Sequence, residues 1–193
     1  MMNKVNIMIV GVGGQGNLLA SEIIGGIAMK NSYDVKMSEV HGMAQRGGSV
    51  VTGVKFGAKV NSPLIEKGEA DIILAFEKLE AYRAAEYLKP GGEILINNQQ
   101  IDPMPVIIGQ SEYPENIIEK IKNKYKNVQA LKALDIAREC GNKRVVNTVM
   151  LGLLANYLEF DKNDWVNTIK ERVPEEFEDI NLKAFEQGYQ SLV

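Results

Sequence analysis

Val5-Asn-Ile-Met-Ile-Val10 runs straight into Gly11-Val-Gly-Gly-Gln-Gly16, after which Leu18, Leu19, Ile23, Ile24 and Ile27 recur at helical spacing as far as Lys30. A short run rich in β-branched residues that stops at glycines, followed by apolar residues of period 3.6, predicts a buried strand, a tight turn and a helix. That unit opens an α/β fold. In this position Gly11-x-Gly13-x-x-Gly16 also meets the dinucleotide fingerprint, whose glycines allow a tight turn, close approach of a pyrophosphate and close packing of helix on strand. The start of the helix offers free backbone N–H groups and the positive end of a dipole to an anion. A plain structural turn uses the same glycines, so the turn alone leaves ligand binding and simple chain reversal both open.

Working outward, Asp34 to Val40 and Ser49 to Phe56 each alternate apolar and polar residues and predict a second and a third strand. The segment between them is too short for a crossover helix, so the third strand is expected antiparallel to the second or displaced from it. Ala70 to Ala75 predicts a central strand, Lys78 to Leu88 a helix, Lys89-Pro-Gly-Gly92 a turn and Glu93 to Ile96 another strand. Tyr113 to Tyr125 predicts a helix, Val128 to Leu131 a short strand, and Leu134 to Glu139 a helical turn ending near Gly141. Three helices close the chain: Arg144 to Leu158, Asp161 to Val173 with Trp165 and Ile169 inward, and Glu175 to Leu192 after Pro174. They read as a carboxy-terminal cap, since no linker or low-complexity stretch precedes them. Residues 1–193 are therefore expected to form a single Rossmann-like, three-layer α/β domain with a mostly parallel sheet, at least one antiparallel strand and carboxy-terminal helices.

Composition removes several function classes. The 193 residues carry a formal net charge of -3, with no basic excess to neutralise a nucleic-acid backbone. Cys140 is the only cysteine, which rules out an internal disulfide and a four-thiolate iron–sulfur or zinc site built by this chain alone. His41 is the only histidine, so no two-histidine metal motif exists and no metal site is expected. The apolar start is short and lacks a cleavage region, and no run is long enough to span a bilayer. The expectation is a cytoplasmic protein with neither nucleic-acid nor membrane partners.

Between the second and third strands lies Ser38-Glu-Val-His-Gly-Met-Ala-Gln-Arg-Gly-Gly-Ser49, which gathers more polar functions than a connector needs. A strand period of two puts Glu39 and His41 on one face, where a carboxylate can orient an imidazole for acid–base work. A structural hydrogen bond at a sheet edge would use the same pair. Gln45, Arg46, Gly47 and Gly48 set a guanidinium fork beside unhindered backbone amides, which suits a carboxylate or a phosphate. A turn with a surface ion pair would look the same. Glu39 also falls about 20 residues beyond the glycines, where a ribose ligand of a nicotinamide cofactor is expected.

The combination of Gly11-Val-Gly-Gly-Gln-Gly16 with the His41 to Gly48 string resembles the gamma subunit of the 2-oxoacid:ferredoxin oxidoreductase family, and most of all its freestanding indolepyruvate branch. The likeness extends through Lys89-Pro-Gly-Gly92, Asn147-Thr-Val-Met-Leu-Gly152 and Asn181-Leu-Lys-Ala-Phe185 with Gly188. The resemblance implies a subunit that is inactive alone. The family reaction converts a 2-oxoacid and coenzyme A to an acyl-CoA, carbon dioxide and reduced ferredoxin, using thiamine diphosphate with magnesium and 4Fe–4S clusters. Those groups would sit on a larger catalytic alpha subunit, because this chain has one cysteine and no Gly-Asp-Gly segment followed by an asparagine pair. By the same resemblance His41, Gln45 and Arg46 would lie near the subunit interface or substrate entrance. The candidate catalytic residues are Glu39, His41, Gln45 and Arg46, and the candidate cofactor contacts are Gly11, Gly13, Gly14, Gln15, Gly16, Gly47 and Gly48. The readings left beside it are a stand-alone NAD(P)-binding dehydrogenase using Glu39, an adenylylating module built on the glycine turn, and a purely structural partner protein.

Overall fold

A computed structural model of the chain describes residues 4–42 and 48–192. The elements follow in the order β1 (Val5–Val12), α1 (Asn17–Lys30), β2 (Asp34–His41), β3 (Ser49–Gly57), β4 (Ala70–Ala75), α2 (Lys78–Ala84) and β5 (Leu88–Asn97). They continue with α3 (Met104–Ile107), α4 (Ile117–Lys124), β6 (Val128–Leu131), α5 (Ala133–Cys140), α6 (Val146–Ala155), α7 (Lys162–Arg172) and α8 (Glu178–Gln190). Among the described residues no helix is long and apolar enough to cross a membrane.

The six strands form one sheet in the order β2-β3-β1-β4-β5-β6. β1 runs parallel to β4, β4 to β5 and β5 to β6, while β3 is antiparallel to both β1 and β2. The expected antiparallel strand is therefore β3, and it stands between β2 and β1. Central strands read as continuous apolar runs because both of their faces are covered. Ile7, Ile9, Val54, Phe56, Leu74 and Leu95 point to one face, against α1 and α5 to α8. Met8, Val10, Ile73, Ala75, Ile94 and Ile96 point to the other, against α2 and α4.

The carboxy-terminal helices differ from the expected cap, because they build the layer on one face of the sheet. Every residue of α6 is buried, since this helix lies between the sheet and α8. Trp165 and Ile169 of α7 are both fully buried in that same core, as expected. The two helices α6 and α8 meet at glycines: a Cβ on Gly152 would lie 2.1 Å from the Phe185 carbonyl oxygen, and one on Gly188 would lie 1.9 Å from that of Val149. Only bare backbone permits this approach.

Smaller differences have local causes. The Lys89-Pro-Gly-Gly92 turn lies inside β5, where Ala70 pairs with Leu88 and Ile72 with Glu93, so the turn residues loop out of a strand that resumes in register. Helix α4 begins at Ile117, because Tyr113 instead reaches back to Glu77. Leu18, expected inward, is 55% exposed at the first turn of α1. Helix α3 has no counterpart in the sequence reading, since four residues are too few for a helical period to show.

Candidate functional site

β1 leads to a helix on one face of the sheet and its parallel neighbour β4 leads to a helix on the other, so a crevice forms at their carboxyl ends. Open α/β sheets hold their ligands at such a switch point. Here the crevice is filled by the chain itself. Gln15 Oε1 accepts from the Val12 N–H at 2.7 Å and Gln15 Nε2 donates to the Phe76 carbonyl at 2.9 Å. Asn97 Nδ2 donates to that same carbonyl at 3.0 Å. Gly16, at φ 86°, lies beneath Asn147, whose Nδ2 would be 2.6 Å from an added Cβ. Gly11 likewise faces Gln15 and Asn17. The close approach that these glycines permit is thus taken by amide side chains, while Gly14, at φ 93°, has nothing within 4 Å of its Cβ position among the described residues.

The glycine turn and the polar segment, separated in sequence, meet in space. The Gly13 N–H donates to the Gly48 carbonyl at 3.0 Å, and the Gly42 N–H to the Ser49 carbonyl at 2.9 Å. Gln45, Arg46 and Gly47 lie outside the described residues. On one side of this junction His41 Nε2 sits 2.6 Å from Glu39 Oε1, and Thr52 Oγ1 donates to Glu39 Oε2 at 3.0 Å. The period-two pairing of Glu39 with His41 is therefore present. The imidazole is 61% exposed, so water surrounds it and an ion pair there is weak.

On the other side of the sheet, Ser49 Oγ donates to Glu80 Oε2 at 2.6 Å and Arg83 Nη1 to Glu80 Oε1 at 2.6 Å. This pair closes one end of a groove of about 210 Å³ walled by Val10, Val40, Val51, Leu64 and Tyr87. Sequence reasoning missed Glu77, Glu80 and Arg83. Glu77 follows a strand and precedes a helix, which is the position of an N-cap, and its side chain accepts from the Glu80 N–H at 2.9 Å. That junction was the available signal.

The nicotinamide reading does not survive the topology. In a dinucleotide fold the acidic strand lies next to β1, but here β3 intervenes. At the usual strand spacing β2 is then about 10 Å from β1 instead of about 5 Å. The Glu39 carboxylate is also engaged by Thr52 and His41. A ribose bound at the glycine turn would find no carboxylate there.

Comparison with known proteins agrees with this geometry. Residues 6–191 match the family described as pyruvate ferredoxin/flavodoxin oxidoreductase. The chain is 39% identical, over 97% of its length and 95% of the relative, to indolepyruvate oxidoreductase subunit IorB of Pyrococcus horikoshii. It is 38% identical to the same-named subunit of Methanothermobacter thermautotrophicus, over 95% of each chain. The keto/oxoacid ferredoxin oxidoreductase gamma subunit of Geobacter sulfurreducens superposes with a TM-score of 0.71 at 25% identity, covering 96% of both chains. The 2-oxoglutarate:ferredoxin oxidoreductase of Magnetococcus marinus superposes at 0.73 with 19% identity, over 98% of this chain but 31% of that one. With a full-length match in sequence and the same fold, the chain belongs to the pyruvate ferredoxin/flavodoxin oxidoreductase family and is a subunit of a 2-oxoacid:ferredoxin oxidoreductase.

Proposed function

We propose that this chain is the smaller subunit of an indolepyruvate or related arylpyruvate oxidoreductase. The observation that carries the reading is the near-full-length identity of 38–39% to subunits that bear the indolepyruvate name. The complex would decarboxylate the 2-oxoacid oxidatively, pass its electrons to ferredoxin and release the acyl group on coenzyme A. It would work in the cytoplasm, where a lone thiol stays reduced.

The donor groups of this chain do not fit an iron–sulfur cluster. Cys140 is a single buried thiolate source where a cluster takes four. Among the described residues no three His, Cys, Asp or Glu side chains gather as metal ligands. By the family resemblance, thiamine diphosphate, its magnesium and the clusters would be carried by the larger alpha subunit. Residues 1–193 act as one domain that completes the assembly.

What this chain would contribute is an edge rather than a pocket. Glu39, His41, Gln45 and Arg46 belong to one short segment, and Gly13 ties that segment to the glycine turn through Gly48. An exposed imidazole and a guanidinium gain strength only when a second surface removes water from them. We assign them to holding an anionic group, or closing the entrance, once the alpha subunit is docked. Because Gln15 fills the turn, any contact of Gly11, Gly13, Gly14 and Gly16 with coenzyme A would be made from the side of Gly14.

The test is anaerobic reconstitution with the alpha subunit, followed by arylpyruvate- and CoA-dependent reduction of a dye. Activity in the complex and none in the isolated chain is expected. Arg46→Ala should reduce turnover at least tenfold while leaving the unfolding midpoint of the chain unchanged. Wild-type kinetics in the reconstituted Arg46→Ala complex would remove Arg46 from this role.

A further inference from the structure

Helix α3 buries none of its residues, and Met104, Ile107 and Ile108 are 59%, 66% and 56% exposed. Three large apolar side chains side by side on a projecting turn are not ordinary surface. From Asn97 to Ser111 the only charged residue is Asp102, in a chain that is 24% charged overall. Depletion of charge around exposed apolar side chains is the compositional mark of an interface core.

This apolar turn is nevertheless held rigidly. The Ile107 and Ile108 N–H groups donate to the Pro103 and Met104 carbonyls, and the Gln110 and Ser111 N–H groups both donate to the Pro105 carbonyl. Its two stems converge on one buried side chain: Glu77 Oε1 accepts from the Ile101 N–H at 3.2 Å and from the Tyr113 hydroxyl. Glu77 is 1% exposed. A four-residue helix has no stability of its own, so its order is supplied by these stems. An element that is fixed in place while covering nothing is preorganised for a partner, because the entropic cost of ordering it is met before docking.

We infer that the knuckle of Met104, Ile107 and Ile108 is the anchor by which this chain seats in an apolar recess of the larger subunit of its oxidoreductase. The inference rests on the subunit assignment. The knuckle follows β5 and so projects from the same edge of the sheet as the glycine turn and the Glu39–His41 pair. In the Magnetococcus enzyme the same fold makes up 31% of a longer chain. A subunit that is a separate chain has only its surface chemistry to hold it against the larger subunit. Asp102, Glu112 and Glu115 flank the knuckle, so the recess has a neutral or basic rim. The same acidic flank opposes docking on an anionic membrane.

The test measures the dissociation constant between the isolated full chain and the larger subunit, purified anaerobically. The double variant Met104→Ser with Ile107→Ser, and separately Ile107→Asp, should bind at least tenfold more weakly. Met29→Ser, at a position 54% exposed near the carboxyl end of α1 and away from the glycine turn, should bind within twofold of wild type. The altered side chains are exposed, and equal thermal midpoints for all chains check that folding is intact. Wild-type affinity in the knuckle variants would overturn the inference while leaving the subunit assignment standing. Equal weakening by Met29→Ser would overturn it as non-specific, and a homodimer abolished by the variants without loss of heteromeric binding would overturn it by giving the knuckle to a second copy. Failure of the wild-type chain to bind the larger subunit would instead overturn the subunit assignment, and the anchor with it.

Discussion

Tyr113 and Glu77 show how one contact controls a property of the folded chain. Burial, and then the Glu77 carboxylate to which it donates, push the Tyr113 phenol above its ordinary value of 10.0. The Lys78 ammonium lies over the ring at 5.1 Å but does not reverse that direction. In the unfolded chain a tyrosine loses its proton near pH 10, whereas here the folded chain keeps it. The folded state then binds more protons than the unfolded one, so stability falls as pH rises through that range. Tyr113→Phe should lack this alkaline arm, so that its urea midpoint changes less than that of wild type between about pH 9 and 11. At neutral pH the variant should lose about 1 kcal/mol, since Glu77 keeps its two backbone donors. The sequence exposed neither partner as special: a glutamate after a strand and a tyrosine 36 residues later have no pattern in common.

Among the elements, α6 and α8 cross closely, with each glycine set against a backbone carbonyl of the opposing helix. A methyl group at Gly188 would meet the Val149 carbonyl, which has no rotamer by which to move aside. Gly188→Ala should therefore separate the helices and cost at least about 3 kcal/mol of stability, measured by chemical denaturation. The strands and most helices were legible because their periods are long and their faces well defined. β4 and β6 occupy the expected spans, and β1, β2 and β3 extend them only slightly. The knuckle α3 and the interruption within β5 were not legible as such, because short elements are set by distant contacts rather than by period.

For the whole molecule, the Glu39–His41 pair, whose imidazole is exposed, allows the proposed role to be tested apart from folding. The imidazole is 61% exposed, so His41→Ala should change the stability of the isolated chain by less than about 1 kcal/mol. In the reconstituted oxidoreductase the same substitution should lower turnover at least tenfold, because in the proposed assembly docking would remove the water that weakens the pair. Equal kinetics for the two complexes would remove His41 from the site. The crowding of polar functions in this segment was visible in the sequence, yet the contacts of Ser49 and Arg83 with Glu80 came into view only in three dimensions.

The α/β character, the family and the lack of a cysteine set for clusters were readable from the order of residues alone, because periodicity, motif and composition are properties of the chain read in order. It also left the glycine turn open to a dinucleotide and Glu39 to a ribose. Tertiary structure decided those points. The insertion of β3 between β2 and β1 moved the carboxylate a strand away, and the fold of Gln15 onto the Phe76 carbonyl filled the space that the glycines leave. Strand order and side-chain occupancy depend on which distant residues come into contact, and local sequence does not carry that information.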